Sequence, residues 1–598
     1  MTRPPEKLAA GALAPSEPGV DAPQVVRLRP GDLLAAAVVT LVALAIYVQT
    51  LAPGLLRADS GEFQTLAVTG GLAHPTGYPI YLLAAKASTC IPVGDVPYRV
   101  NLLSALMGAL AAGGMYLLGF LLTGRRWVPA AGAVALAISP TFWSQAIIAE
   151  VYTAGVVFTL GVLLAIERWR QTGRVGWLLG AACLGGLSLG VHVTVAFMTP
   201  ACLLILLLTR RRWKANWTAA VCGAFLGVLL LLAAFVLIDA KKSRCCYFRA
   251  VVNPSRSVWN IEPEDVETTR GKVHLSFSPP YCWGLLFSKP PEVTLDKAKW
   301  YSWNLLHEFP WPWLAVSVAG VFWLWRRNSK MALLLALTCA THLFYDLFYD
   351  MGGIHVLYIA TYVPIAIFGT AGLACICDAI DYLPILFGLV GGDSSRRWRC
   401  RKLLQSATGV ASYKRPEENA GGPLPSPFPS RPSLSRFDLP VAIAGLCLVL
   451  WPMLSADAFN SEGRRIANLP PEEQDAPFGV EYSTEFHQHV RELIADFEPD
   501  AVVFTGWCLV YPYYYVAHVE MGRTDMEFLQ DYPHPYHFEL ADSALAYVEE
   551  VSPHRPVYFT HIVAKVAEVF EIEPIRRGGE TFFRVGKRLK RPPAEAPL

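Results

Sequence analysis

Long apolar runs alternate with short polar segments along most of the chain. The first run, from Leu33 to Ala52, has about the 20 residues that a helix needs to cross a bilayer. Ten further runs follow at about 101–123, 128–145, 150–166, 176–190, 193–209, 218–238, 310–325, 331–349, 355–377 and 439–455. The middle runs are short for a full crossing, so tilted or partial spans are expected. The pattern predicts a polytopic α-helical membrane protein with about 11 spans.

The basic residues between these runs orient the predicted spans. They fall on one side of the alternation: Arg27 and Arg29, Arg125 and Arg126, Arg168–Arg174, Arg210–Lys214, Arg326–Lys330 and Arg396–Lys414. Lys and Arg are enriched in cytoplasmic loops, so this side is predicted to be cytoplasmic. The segments 53–100, 146–149, 239–309 and 456–598 are then predicted to face outward, in a multi-pass protein of a bacterial plasma membrane or an endoplasmic reticulum.

The polar ends of the chain differ from its membrane part, 31–377. Residues 1–30 are rich in Pro, Ala and Glu, which is typical of a disordered segment, here cytoplasmic. Residues 378–438 have the Pro, Ser and Arg content of a flexible cytoplasmic linker before the last span, 439–455. Beyond it, 456–598 are predicted to form a small extracytoplasmic α/β domain, with strands near 501–505, 557–560 and 581–585 and helices near 509–519 and 541–551.

Composition agrees with a membrane protein. Hydrophobic residues make up 53% of the 598 and charged residues 17%, against about 25% charged in soluble proteins. The mean hydropathy is +0.34. A net charge of +2 without a basic tail gives no indication of a nucleic-acid partner. The 13 cysteines are scattered and none forms a C-x-x-C pair, so no zinc site is predicted.

An acidic cluster, Asp59 and Glu62, lies just past the first apolar run. The two carboxylates are three residues apart and would share one face of a helix. One interpretation is a helix cap, with Asp59 as N-cap and Glu62 at the third helical position. The other is a catalytic base and its supporting acid at the membrane surface. The two interpretations are compatible.

Other polar residues of the predicted outward loops could join this cluster. His74 and Tyr78 lie in a Gly- and Pro-rich break that is either a rigid turn or part of the same pocket. Arg99 lies on the outward side, against the positive-inside trend; it could reach lipid phosphate or bind the phosphate of a lipid-linked substrate. Glu150 stands at the mouth of span four and His192 in the turn between spans five and six. Each is a site candidate, with a capping or structural role as the alternative.

Two further groups of charged or polar residues also have two interpretations each. Five basic residues begin the long outward loop and suit a phosphate or a solvated surface equally: Lys241, Lys242, Arg244, Arg249 and Arg256. Asp346, Asp350 and His355 surround the outward turn between spans nine and ten, where they could reach the pocket or cap two helices.

Five motifs from Asp59 to His192 resemble a known family. In order, they are the acidic cluster, His74–Pro79, Arg99–Ser104, Phe142–Thr153 and Gly186–His192. They are similar to the polytopic membrane family that includes an animal endoplasmic-reticulum protein O-mannosyltransferase, within the C-type glycosyltransferases. The resemblance is good over about 33–210 and loose over 340–380 and the tail.

The resemblance implies a C-type glycosyltransferase that uses a polyprenyl-phosphate sugar, mannose or another hexose, on the extracytoplasmic face. By position, Asp59 would be the base, and Glu62 and Glu150 supporting acids. The remaining motif residues, His74, Tyr78, Arg99 and His192, would bind substrate. The acceptor is a hydroxyl, on a protein or on another molecule. The reaction requires no cofactor and no metal, and a bound divalent cation is left open.

Two other classes compete with an enzyme. A transporter or lipid flippase should show repeated halves and polar groups near the bilayer midplane. The predicted spans do not divide evenly, and the acidic residues lie at their outer ends. A non-catalytic scaffold that binds through its tail is the third class, and it would not depend on the Asp59 carboxylate.

Overall fold

The computed structural model describes residues 25–210, 212–280, 285–350, 354–386, 437–454, 484–533 and 538–589. Most of the predicted disordered segment 1–30 and of the predicted linker 378–438 lies outside these ranges. Where both can be compared, the predicted linker starts too early, because a helix continues to Leu386. The next helix begins at Asp438.

The membrane part is almost entirely helical. Its helices are α1 Pro30–Gln49, α2 Ala58–Thr69, α3 Pro79–Ser88, α4 Val96–Thr123, α5 Val128–Ala137, α6 Pro140–Ala146, α7 Tyr152–Thr172, α8 Val175–Ser188, α9 Thr199–Leu207, α10 Trp213–Asp239, α11 Asn253–Ser255, α12 Pro263–Glu267, α13 Thr269–Phe277, α14 Pro291–Glu308, α15 Trp311–Arg327, α16 Ser329–Phe348, α17 Ile359–Leu386 and α18 Asp438–Leu454. Short 3₁₀ segments precede α9 and α17, and a π-helical turn, Phe248–Val252, precedes α11.

Helices occupy all eleven predicted apolar segments. Six of the described helices are long and apolar enough to cross a membrane by length and composition: α1, α4, α7, α10, α16 and α17 with its 3₁₀ start. Four other segments are shorter apolar helices, at 128–137, 175–188, 193–207 and 438–447. The predicted class, a polytopic α-helical membrane protein, is therefore confirmed, with fewer full-length spans than the eleven predicted.

Ion pairs tie the basic ends of several helices together at one end of the bundle. Arg125, just after α4, contacts Asp378 at 2.5 Å and also Asp438 at the start of α18. Its neighbour Arg126 lies 2.8 Å from the buried Asp32 in the first turn of α1. These basic loops therefore share one face of the bundle, as the charge pattern predicted. We call it the basic face, and the opposite end the site face.

The C-terminal part is a small α/β domain, as predicted. Its helices are α19 Glu485–Ala495, α20 Trp507–Tyr514, α21 Asp542–Val551 and α22 Ala564–Ala567. Its strands are β1 Val502–Thr505, β2 Glu527–Gln530, β3 Val557–Phe559, β4 Phe570–Arg577 and β5 Glu580–Arg588. They form one sheet in the order β2-β1-β3-β5-β4, in which β1 pairs in parallel with β2 and β3. The pairs β3–β5 and β4–β5 are antiparallel.

This domain packs directly on the membrane part. Strand residues alternate between faces, so Val503 joins the core shared with α2, whereas Val502 and Phe504 join the core under α21. On the shared side, Phe63 of α2 and Tyr511 of α20 belong to one buried cluster. A continuous apolar core therefore fixes the domain over the site face.

A buried ion pair holds the long loop 239–309 to the bundle. Lys272 of α13 lies 2.6 Å from Asp239, the last residue of α10, and both side chains are under 5% exposed. The hydroxyl of Thr269 donates to the other oxygen of Asp239 at 2.6 Å. The Asp239 carboxylate thus depends on α13 for its partners.

We predict that Lys272→Met lowers the free energy of unfolding by about 3–5 kcal/mol, because it leaves a buried carboxylate without its cation. Denaturant titration of the purified protein in detergent micelles would measure the loss. Lys299→Met is the matched control, since Lys299 and Asp296 form an exposed pair whose loss should cost about 1 kcal/mol or less. Equal losses in the two variants would contradict the role assigned to Lys272.

Candidate active site

The acidic cluster lies in the first turns of α2, but it does not cap that helix. The N-cap residue is Arg57, and no side chain caps the first backbone N–H groups. The capping interpretation, with Asp59 as N-cap, is therefore wrong. The helix places Asp59 and Glu62 on one face, where they meet different partners.

Glu62 is completely buried and is held by His74. The backbone N–H of His74 donates to Glu62 Oε1 at 3.0 Å, and Nδ1 of the imidazole lies 2.5 Å from Glu62 Oε2. Both carboxylate oxygens are thus engaged by one residue of the Gly- and Pro-rich break. Glu62 has no exposed surface, so its direct role is to hold and orient His74.

Asp59 is the accessible carboxylate of the cluster, with 40% of its side chain exposed. The indole N–H of Trp507 donates to Asp59 Oδ1 at 3.0 Å. The other oxygen, Oδ2, lies 3.6 Å from His74 Nε2, which is an ion-pair distance longer than a normal hydrogen bond. One oxygen is therefore fixed by a neutral donor, while the side chain stays open to a ligand.

A glycine in the acidic motif allows the C-terminal domain to reach this site. A Cβ on Gly61 would lie 2.5 Å from the Leu56 carbonyl oxygen and 3.1 Å from Pro512 of α20. One turn later, the hydroxyl of Thr65 donates to the Tyr511 carbonyl oxygen at 2.9 Å. This close contact of α2 with α20 places Trp507, at the start of α20, against Asp59.

Aromatic rings enclose His74 on several sides. The centroid distances from the imidazole are 4.8 Å to Tyr78, 5.8 Å to Phe63, 5.8 Å to Trp507 and 6.3 Å to Tyr247. Apolar rings lower the local dielectric, so the charges of this cluster act on each other strongly.

The electrostatics favour a protonated His74. Burial by itself lowers the pKa of His74, but the charges of Asp59 and Glu62 and the hydrogen bond to Glu62 raise it to about 9 from 6.5. Burial raises the pKa of Glu62, and the adjacent imidazolium opposes that rise. Because the pKa of His74 is higher in the folded state, its protonation stabilises the fold fully below pH 6.5, and this contribution is lost as the pH rises through about 9.

Glu150 and His192 join the same region from the next two turns of the site face. Ser60, between the two acids of α2, donates to Glu150 Oε1 at 3.4 Å, and Glu150 is only 8% exposed. The imidazole of His192 stacks on Tyr78, with 6.2 Å between centroids. Burial, then the charge of His74, lowers the pKa of His192 to about 3, so that His192 is neutral. The predicted site residues of α2, of the Gly- and Pro-rich break and of the two turns that carry Glu150 and His192 therefore lie next to one another.

A small cavity of about 20 Å³ lies beside His192. His192, Tyr152 and Thr194 line one part of it, and His342 of α16 and Leu357 line another. The remaining lining is mostly apolar.

Arg99 does not take part in this cluster. Its guanidinium donates to the backbone carbonyls of Thr89, Val93 and Gly94, at 2.7–2.8 Å. Arg99 thus fixes the turn between α3 and α4. The phosphate-binding role predicted for it has no support in this geometry.

Among the five basic residues of the long loop, Arg249 lies nearest in sequence to Tyr247. It follows Tyr247 by two residues, and the Tyr247 ring contacts both His74 and Trp507. Its side chain is partly buried. Arg244 donates to the Thr524 carbonyl oxygen at 3.2 Å.

The two acidic residues near the end of α16 have different surroundings. Asp350 pairs with Lys289 at 3.1 Å and Lys297 at 3.7 Å, which ties the turn to α14. Asp346 is fully buried, and neither of its oxygens has a hydrogen-bond partner in the described part of the chain. No group of three or more His, Cys, Asp or Glu with metal-binding geometry occurs among the described residues.

Known proteins match the region that carries this cluster. Residues 59–217 match the family of the protein O-mannosyl-transferase TMEM260 N-terminal domain. All seven predicted site residues, from Asp59 to His192, lie within that match. The predicted family resemblance is thus confirmed over this region.

Two curated relatives carry the same name. The chain is 35% identical to protein O-mannosyl-transferase TMEM260 of Mus musculus over 167 residues, 28% of this chain and 24% of the mouse protein. It is 24% identical to the Dictyostelium discoideum protein of that name over 296 residues, 46% of this chain and 34% of the other. The matches therefore span about a quarter to a third of the relatives' length.

Solved structures give weaker likenesses. ArnT from Cupriavidus metallidurans in the apo state is 13% identical, with 93% of this chain and 98% of ArnT covered and a TM-score of 0.44. The S. cerevisiae protein O-mannosyltransferase Pmt1-Pmt2 complex bound to the sugar donor is 14% identical, with 41% and 39% covered and a TM-score of 0.33. With TM-scores below 0.5, neither likeness supports a statement about function.

Sequence reasoning missed Trp507 and Tyr247. Trp507 is 448 residues from Asp59, so no local pattern links them. Its one signal is its position, just after a strand and Gly506, where side chains at the carboxyl end of a strand often face a ligand. Tyr247 lies among the basic residues of a long loop, and no sequence motif distinguishes its ring.

We predict that His74 titrates near pH 9 and that Glu62→Gln lowers this pKa, because the variant removes a charge that favours the imidazolium. NMR of the protein labelled in its histidines would follow the titration, with the His74 signal assigned by its absence in His74→Gln. As a control, Glu580→Gln removes the carboxylate beside the exposed His489 and should leave His74 unchanged. A His74 pKa that does not respond to Glu62→Gln would contradict the coupling.

Proposed function

We propose that this protein is a C-type membrane glycosyltransferase. It moves a sugar, mannose or another hexose, from a polyprenyl-phosphate donor to an acceptor hydroxyl, with inversion at the anomeric carbon. The observation that carries the proposal is the partly exposed Asp59 carboxylate at the membrane edge. Trp507 holds it by a hydrogen bond, next to the buried Glu62–His74 pair.

Asp59 is the proposed general base. Its carboxylate takes the proton of the acceptor hydroxyl as that oxygen forms a bond to the anomeric carbon. On the opposite side of the sugar, the bond from the anomeric carbon to the phosphate oxygen breaks, and the lipid phosphate leaves with the electron pair. The Trp507 donor leaves one Asp59 oxygen with free lone pairs, which is the arrangement that a base requires.

The other residues bind or position. Glu62 is fully buried and cannot touch substrate, so it acts by fixing His74 beside Asp59. The carboxylate of Glu150 and the neutral imidazole of His192 suit hydrogen bonds to sugar hydroxyls. Arg249 is the proposed ligand of the leaving phosphate, because an arginine stabilises the charge that develops there.

A lipid-linked donor fits the placement of the site. The cluster lies at the site face, at the ends of helices that cross the membrane, so a polyprenyl chain can stay in the bilayer while its phosphate and sugar reach Asp59. The site face is the proposed extracytoplasmic or lumenal side. Mannose and a protein acceptor are favoured because the family that matches residues 59–217 and both curated relatives are named protein O-mannosyl-transferases.

A transporter is less well supported. Its polar groups should lie near the bilayer midplane, whereas Asp59, Glu62 and Glu150 lie at one end of the bundle, under the C-terminal domain.

We predict that Asp59→Asn lowers sugar transfer by at least about 10³-fold, because the amide has no basic oxygen and the reaction loses its base. Purified protein would be incubated with polyprenyl-phosphate mannose and a mixture of serine- and threonine-containing peptides, and mass spectrometry would quantify the transferred hexose. Asp296→Asn, on the exposed face of α14, is the matched control and should transfer at the wild-type rate. Transfer by Asp59→Asn at that rate would refute the proposal.

We predict that Trp507→Phe lowers kcat about tenfold or more and leaves the KM for the donor within about threefold. The variant keeps the ring in its contacts with Tyr247 and Tyr511 but removes a hydrogen bond to a carboxylate, which contributes about 1.5–3 kcal/mol. Initial rates in the same assay give both constants. A thermal midpoint that falls together with kcat would instead indicate a merely structural role.

A further inference from the structure

The carboxyl ends of the parallel strands in the C-terminal domain form a crevice. β1 lies between β2 and β3 and runs parallel to both. In parallel α/β sheets, ligands bind outside the carboxyl ends of the strands, where the connections on either side of one strand diverge. Here β1 ends at Thr505 and the chain turns away into α20, which leaves the residues after β2 and β3 to meet across its end.

Two buried polar groups at this edge lack partners. Thr505 and Gln530 are the last residues of β1 and β2 and lie opposite each other in the register. Thr505 is fully buried and Gln530 is 4% exposed. The hydroxyl of Thr505 and the amide oxygen of Gln530 make no hydrogen bond with any described residue. Buried polar groups are rarely left unsatisfied, so a ligand at this edge would explain both.

Three more polar residues complete the edge. Asp531, which follows β2, lies 3.5 Å from Nδ1 of His561, which follows β3. The other ring nitrogen of His561 lies 2.7 Å from the hydroxyl of Tyr532. His561 and Tyr532 are partly exposed, whereas Asp531 is 6% exposed. The edge therefore presents carboxylate, imidazole, phenol, hydroxyl and amide groups.

This edge is continuous with the candidate active site. Trp507 follows Thr505 by two residues, which an extended chain spans in about 7 Å, and its indole touches Asp59. Neighbouring strands lie about 4.8 Å apart, so the residues that follow β2 and β3 lie on either side of the end of β1, two residues before Trp507. A ligand held at the edge would thus lie beside the proposed base.

One large exposed apolar side chain borders the edge, and a second lies on a segment that is hydrogen-bonded to the chain after β3. Ile562, directly after His561, is 61% exposed, and Phe538 is 82% exposed. The segments that carry them are joined, because Lys565 donates to the Leu540 carbonyl oxygen at 3.1 Å. Exposed apolar groups beside hydrogen-bonding groups favour a polypeptide ligand over a free sugar.

We infer that the edge formed by Thr505, Gln530, Asp531, Tyr532 and His561 binds the acceptor, a polypeptide segment that presents a serine or threonine hydroxyl. The inference rests on the proposed function only in calling the bound segment the acceptor of the sugar. Binding of the segment does not depend on that function. The unpartnered groups of the edge accept and donate hydrogen bonds to the segment, and the apolar border packs on its side chains. A neighbouring hydroxyl of the segment then faces Asp59.

The test measures peptide binding without any sugar donor. Full-length protein in detergent micelles is titrated against a fluorescein-labelled ten-residue peptide in which threonine alternates with alanine, and anisotropy gives the Kd. A matched peptide carries valine in place of threonine, which keeps the shape and removes the hydroxyls. Wild-type protein is expected to bind the threonine peptide at least tenfold more tightly, and Asp531→Asn and His561→Ala are expected to lose that preference.

Two variants keep the outcomes distinct. Asp59→Asn should keep the preference, because the inference assigns Asp59 to chemistry and not to peptide binding. Glu549→Gln, an acid-to-amide change in a surface pair on α21, should also keep it. The inference is overturned if wild-type protein does not distinguish the two peptides, or if Asp531→Asn and His561→Ala both retain the preference. Failure of the proposed function would show separately, as wild-type transfer by Asp59→Asn.

Discussion

The contact between Glu62 and His74 is the constraint on which the site depends. A fully buried carboxylate at a membrane edge needs a cation and hydrogen-bond donors, and His74 supplies both, through its ring and its backbone N–H. Leaving Glu62 without this partner would cost several kcal/mol. The pair fixes the break after α2 against the start of that helix, which in turn leaves Asp59 as the carboxylate that faces outward.

The C-terminal domain completes this arrangement. Gly61 lets α20 approach α2 closely enough for the indole of Trp507 to reach Asp59, and the shared apolar core keeps the two parts in register. The membrane part thus supplies the carboxylates and the imidazoles, while the α/β domain supplies a hydrogen-bond donor and a polar sheet edge. In the proposed function, this junction lets a lipid-borne and a water-borne substrate approach Asp59 from opposite sides.

Much of this arrangement could be predicted from the sequence because its signals are local. Each of the eleven apolar runs contains a helix, and the alternation of basic loops predicted Glu150 and His192 on the same side as Asp59. The rest depends on long-range packing. The Trp507 contact joins residues far apart in the chain, and Arg99 satisfies nearby carbonyls of its own turn instead of facing a ligand. The N-cap of α2 is Arg57, so Asp59 lies inside the first turn of the helix. Its carboxylate accepts a hydrogen bond from Trp507 instead of capping the helix.

The most direct test of the account is a cryo-electron microscopy structure of the full chain with a non-hydrolysable polyprenyl-phosphonate mannose. The account predicts that the anomeric carbon lies within about 6 Å of the Asp59 carboxylate, with room for an acceptor hydroxyl between them, and that the phosphonate lies on the far side of the sugar. A sugar bound away from Asp59, or a phosphonate between Asp59 and the anomeric carbon, would contradict it.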